Sequence, residues 1–292
     1  MCNVAHVLYQ HARLILYILI FILKRVMNIH FKEKTTLSIL EKSTLVKIKI
    51  GAHLYGFNDE QSDTDYRCIT VPTLDEQNSF SFTHHQFQYK DEAKHIDYVF
   101  VNIFNFIRNA INGDSTINFE VLHVKELLGT PLGFLYELKS HFRNYAIIRS
   151  YLGLAKRDLN SISKATGNRE KNKRLLHAYR GYYFAKNAFE QKFSNRLPDN
   201  LHNELLLLKS ITDYKVRHDK VDWLKGKIKD YRRFIGNELE NNQITRFMDI
   251  EGQAILDDKL KELIESKIYK SKIQPDLNML PIYKANEKGL HY

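Results

Sequence analysis

Two cysteines, five prolines and one tryptophan are spread over 292 residues. So few cysteines exclude a disulfide framework. Cys2 and Cys68 form no motif, and the 13 scattered histidines build no zinc cluster with them. Cys68 lies inside an apolar run and reads as a small buried hydrophobe, so a reducing cytoplasm is the expected setting. No internal repeat or low-complexity tract appears. Long apolar runs are missing too: the longest, Leu14 to Leu23, has ten residues and is too short to span a bilayer. Arg13 precedes it, Lys24-Arg25 follows, and no small-residue cleavage site is present, unlike a secretory signal. The run can be read as a peripheral membrane anchor, or as an extension upstream of a functional start at Met27. We adopt the second reading, with residues 1–27 outside the fold and no stable membrane association.

What remains is an ordinary globular composition, 43% hydrophobic and 27% charged, long enough for one large or two medium domains. Lys and Arg number 44 against 34 Asp and Glu, a formal net charge of +10. That balance favours polyanionic partners: nucleic acid, nucleotides or an anionic surface.

The chain changes character along its length. Residues 35–43 suggest a short amphipathic helix. Strands are expected at Leu45–Ile50, Tyr66–Val71, His84–Tyr89 and Lys94–Phe100, and a helix at Asn102–Asn112 that stops at Asn112-Gly113. From Pro131 onward β-branched alternation nearly vanishes. Helices are expected at Tyr145–Ser163, Lys171–Phe193, Asn200–Gly236 and Ile255–Tyr269, followed by a loose tail over 274–292. The predicted architecture is α+β: a small mixed sheet with flanking helices at 28–130, followed by an all-helical domain at 131–273.

One stretch carries the most chemistry. The alternating run Leu45-Val46-Lys47-Ile48-Lys49-Ile50 enters the glycine-bracketed turn Gly51-Ala52-His53-Leu54-Tyr55-Gly56. Gln61-Ser62-Asp63-Thr64-Asp65 then opens the next strand. In an extended strand Asp63 and Asp65 share a face, roughly 7 Å apart. Two carboxylates beside a turn that exposes backbone N–H groups suit a Mg²⁺-dependent phosphoryl-transfer site. The plainer reading is a polar turn capping a strand. Asp97 interrupts an otherwise apolar strand, where an unpaired carboxylate is costly; it is either a third site carboxylate or a surface-facing residue.

Strand, Gly-x4-Gly, polar loop, Ser-Asp-x-Asp and strand together resemble the signature of the polymerase-beta-type nucleotidyltransferase superfamily. The Asn118-Phe119-Glu120 element and the His177-x-x-Arg180 helix are similar to its RNA-repair-pathway, polymerase-beta-like branch. The resemblance spans about residues 45–190. It implies that Asp63, Asp65 and Asp97 hold two Mg²⁺ ions (Mn²⁺ is the substitute), with Asp97 also helping to deprotonate the acceptor. Gly51, Ala52 and Ser62 would hold the triphosphate of an NTP. His177, Arg180 and Lys173, on one helix face, would grip phosphates, unless they form only a solvated basic face. Ala52 departs from the family pattern, which has Ser there; His53 or Ser62 could supply the missing donor. The implied reaction moves an NMP from an NTP to an acceptor hydroxyl, an RNA end above all. A protein side chain as acceptor, or a non-catalytic binding relative, are the alternatives. The basic segment Lys215–Arg233, with Trp223, can be read as a nucleic-acid strip or as an amphipathic helix with Val221, Leu224, Ile228 and Tyr231 inward.

Overall fold

The structure is a computed structural model and describes residues 37–58, 62–71 and 86–266. The apolar run at Leu14–Leu23, the start at Met27, His84 and the tail at 274–292 lie outside the described residues.

The described chain divides into two compact units, Met1–Ala110 with Asn195–Leu207, and Ile111–Ser194 with Leu208–Tyr292. The first is built on four strands: β1 (Thr44–Ile50), β2 (Thr64–Thr70), β3 (Gln86–Asp91) and β4 (Ile96–Asn102). Their order is β1-β2-β4-β3. The outer pairs are antiparallel, and the central pair β2/β4 is parallel. Alternation in β1 explains its seat: Val46, Ile48 and Ile50 are buried, while Lys47 and Lys49 point to the opposite face. On that opposite face the Lys47 Nζ sits 3.9 Å above the Tyr66 ring, and Tyr66 stacks on Tyr98. Cys68 is buried, as expected of a small hydrophobe, and burial raises its thiol to about 11. After β4 the chain enters helix α2 (Ile103–Ile111) directly, and Ile103, Phe106, Ile107 and Ala110 are buried from it. Residues 37–42 are helical, matching the expected first element.

A short helix α1 (Ala52–Tyr55) fills the glycine-bracketed turn. Gly51 has φ +67° and Gly56 φ +74°, left-handed conformations that favour glycine. Tyr55 is buried and packs the turn. The returning segment Asn195–Leu207 meets this turn: His202 stacks on Phe57 with ring centroids 4.6 Å apart.

The second unit is helical. It holds α3 (Thr116–Leu122), α4 (Gly133–Glu137), α5 (Tyr145–Ser161), α6 (Asn168–Phe189), α8 (Tyr214–Glu240) and α9 (Ile250–Ile264). Helix α7 (Asp199–Leu208) carries most of the returning segment. Side-chain caps fix where several of these begin. Ser115 accepts the Asn118 N–H, Asn144 accepts the Ile147 N–H, and Asp213 accepts from Lys215 and Val216. The last cap explains one difference from the sequence reading, which runs a single helix from Asn200 to Gly236. The chain instead breaks at 209–213, where Asp213 starts α8 afresh. The core gathers around Tyr151, whose ring meets Phe119, Phe184 and Phe193. Its hydroxyl donates to buried Glu120 at 3.1 Å.

Candidate active site

Asp63 and Asp65 flank the first residue of β2, and Asp97 is the second residue of β4. Parallel pairing sets Asp65 opposite Asp97. They belong to the sheet face that also carries Ile48, Ile50, Ile69 and Val101, at the end nearest the Gly51 turn. Neighbouring strands lie about 4.8 Å apart, so two like charges opposite each other repel unless a cation or proton intervenes. Asp97 Oδ1 is buried and has no hydrogen-bond partner among the described residues. Gly51 closes the same corner: a Cβ there would collide with the Asp65 carboxylate, so only glycine leaves that carboxylate its place.

Asp63 is more open. Its Oδ1 lies 3.7 Å from the Nδ1 of His95, and both side chains are exposed. The Thr64 N–H donates to the His95 carbonyl at 2.9 Å, tying the start of β2 to the turn before β4. Among the described residues, no three His, Cys, Asp or Glu side chains converge on a point that could hold a metal ion. Strand register brings Asp65 and Asp97 together, and Asp63 lies beside His95. Ala52 and His53 form the first turn of α1, whose leading amides have no acceptor within a helix. Thr64 Oγ1 lies 3.4 Å from His53 Nε2.

One residue of this corner escapes sequence reasoning. Arg67 follows Asp65 on the same face, is 5% exposed, and burial lowers its guanidinium to about 10. The signal was Asp-x-Asp-x-Arg: the alternation that unites the two aspartates also includes Arg67.

The phosphate-gripping candidates lie in the helical unit, on α6. Lys173 is exposed, while His177 and Arg180 are half-buried. Burial lowers the His177 imidazole to about 3, helped by Arg180, Lys173, Arg157 and Arg174. It is neutral at pH 7 and can donate one N–H. The Arg180 guanidinium lies 5.9 Å above the Phe184 ring. Arg174 pairs with Glu170 one turn earlier. On α8, Val221, Leu224 and Ile228 are buried and Arg217 is held by Asn168, Asn172 and the Ile211 carbonyl. Those positions follow the amphipathic reading, and Trp223 stacks on Tyr179.

The family pattern described as RlaP, the RNA repair pathway DNA polymerase beta family, matches residues 23–243. No curated protein matches the chain. A solved nucleotidyltransferase-like protein from Exiguobacterium sibiricum 255-15 is similar at 14% identity and a TM-score of 0.32, over 82% of this chain and 91% of that one.

Proposed function

The chain belongs to the RNA repair pathway DNA polymerase beta family, a family of nucleotidyltransferases, and from that premise we propose that it moves an NMP from an NTP to the hydroxyl of an RNA end. The observation that carries the site assignment is Asp65 opposite Asp97 beside Gly51. The buried, unpartnered Asp97 Oδ1 and the repulsion across this pair fit a divalent cation. Asp65 and Asp97 would hold Mg²⁺, which when bound neutralises phosphate charge.

The chain's own residues supply position. The first-turn amides of α1 and Ser62 orient the triphosphate, and Gly51 leaves the Asp65 carboxylate its place beside them. The acceptor oxygen attacks the α-phosphorus and forms a new O–P bond. The bond to the β-phosphate's bridging oxygen breaks, and pyrophosphate leaves. Asp97 takes the hydroxyl proton. Holding the reactants in line and matching developing charge account for most of the rate. Lys173 and Arg180 contribute cations for a phosphate backbone, while neutral His177 contributes a hydrogen bond.

Incubating the full chain with each labelled NTP, Mg²⁺ and either total RNA or a protein lysate tests this reading. Label in RNA is expected. Label only in protein replaces the acceptor, and binding without transfer refutes the enzymatic assignment to this corner.

A further inference from the structure

The helical unit contains a hollow that the proposed transfer chemistry leaves unused. It is open to solvent, about 850 Å³, and four arginines line it: Arg149 and Arg157 on α5, Arg232 on α8, and Arg246 in the loop before α9. Such a volume is typical of a small-ligand site, and roughly matches one or two nucleotides. The lining carboxylate is Asp114. Arg157 pairs with Asp158, whereas Arg149, Arg232 and Arg246 have no ion pair or hydrogen bond from their side chains among the described residues. Unpaired like charges around a concavity repel and focus a positive field, which an anion would relieve.

The floor is fixed before any ligand arrives. The Tyr145 N–H donates to the Thr245 carbonyl at 2.9 Å and the Ala146 N–H to the Arg246 carbonyl at 3.4 Å, so the 245–247 loop docks on the first turn of α5. Thr245 Oγ1 donates to the Phe247 carbonyl at 2.6 Å. On the other wall, Ser150 Oγ donates to the Gly113 carbonyl. Gly113 has φ +68°, and a Cβ there would strike the Ala146 backbone. This docking sets Phe247, 47% exposed, at the rim beside Arg246. Further along α5 a second hollow of about 410 Å³ shares Gly153 and Arg157 and adds Lys156 and Lys164. From Arg149 to Arg157 the helix rises about 12 Å, room for two or three strand phosphates.

We propose that this arginine hollow binds a single-stranded polynucleotide, with phosphates on Arg149, Arg157, Arg232 and Arg246 and a base stacked on Phe247. It rests on the transfer reading only in supplying a dock for the acceptor strand. The charge distribution agrees. Residues 1–110 and 195–207 carry 13 basic and 13 acidic residues, while the helical unit carries 31 basic against 21 acidic, so it holds the entire excess.

The test uses the full chain and end-blocked, fluorescent 12-mers of RNA and DNA, with anisotropy read across a salt series and no NTP or divalent metal. The triple substitution Arg149→Gln, Arg232→Gln, Arg246→Gln should weaken binding on the order of a hundredfold and lower the slope of log affinity against log salt by about 2. Phe247→Ala should cost about tenfold and leave the slope alone. A control triple, Lys125→Gln, Lys259→Gln, Lys261→Gln, removes equal charge outside the hollow and should cost far less. Equal affinity for RNA and DNA marks a backbone site, and an RNA preference adds sugar contacts; either agrees with the proposal. Unchanged binding in the folded arginine variant, or an equal loss in the lysine control, overturns it. Oligonucleotide binding here, with no NMP transfer to unblocked RNA in the labelled-NTP assay with Mg²⁺, would instead sink the transfer reading alone.

Discussion

Asp65 and Asp97 stand opposite each other across a strand pair, where like charges disfavour one another, so neutralising one should separate catalysis from stability. Asp97→Asn is expected to abolish transfer while leaving stability unchanged or raising it by up to about 1 kcal/mol, seen as an unchanged or higher thermal midpoint. Calorimetry beside a labelled-NTP assay checks both halves; retained turnover would remove Asp97 from the site. Gly51 predicts the opposite pattern. With φ +67° and ψ −144° it occupies a region nearly closed to other residues, and any Cβ meets the Asp65 carboxylate. Gly51→Ala should therefore cost about 1–3 kcal/mol in denaturant melts and lose transfer together. The two glycines and the Asp63-x-Asp65 motif could be read from the chain because their spacing is local. The Asp65–Asp97 register could not, since β3 intervenes in sequence and stands on the far side of β4. Arg67 stayed hidden because a basic residue in a strand ordinarily signals an exposed face, and here that face is buried.

Helix α3 ends at His123, whose ring lies 4.9 Å from Phe119 and 4.6 Å from Phe193. Its Nε2 is buried without a hydrogen-bond partner among the described residues, and burial lowers the imidazole to about 3. The folded state thus binds this proton more weakly than the unfolded state, where the value is about 6.5. Its stability contribution is whole above pH 6.5 and is lost as pH falls from there toward 3. At pH 5 the loss should be on the order of 1–2 kcal/mol, and His177 adds to it with the same sign. His123→Phe should flatten the midpoint-against-pH curve between 7 and 5; an unchanged slope would show that burial of His123 is not the cause. On α6, with His177 neutral, Arg180 carries the charge of the pair. Arg180→Ala should weaken NTP or RNA binding about ten- to a hundredfold in a folded protein, and Arg180→Lys should recover part of it. Wild-type titrations for Arg180→Ala would return this helix to a solvated basic face. The helices themselves were legible from apolar spacing. The break at 209–213 was not, because Leu205, Leu208, Val221 and Leu224 keep burying side chains on either side of it and only the Asp213 cap marks the restart.

The +10 charge of the chain hides a sharper division: the sheet-bearing unit is neutral and the helical unit carries the whole excess. Overall composition pointed to a polyanionic partner but not to where it would bind. Loss of β-branched alternation, which sets the expected seam at residue 130, comes later than the division after Ala110 because α3 already lies in the second unit. The return of 195–207 to the first unit had no local signal, since α7 looks like one more amphipathic helix. Among the described residues no helix is long and apolar enough to cross a membrane.

That return sets an order of events during synthesis. His202 covers the Gly56–Phe57 end of the glycine turn, so the sheet-bearing unit cannot be finished from the first 110 residues. A nascent chain must carry this turn half-covered until α7 leaves the ribosome, after α5 and α6 have already emerged. A ribosome stalled before residue 195 would display helices able to pack and a first unit still missing its returning segment. The first unit can therefore be completed only late in the chain's own translation.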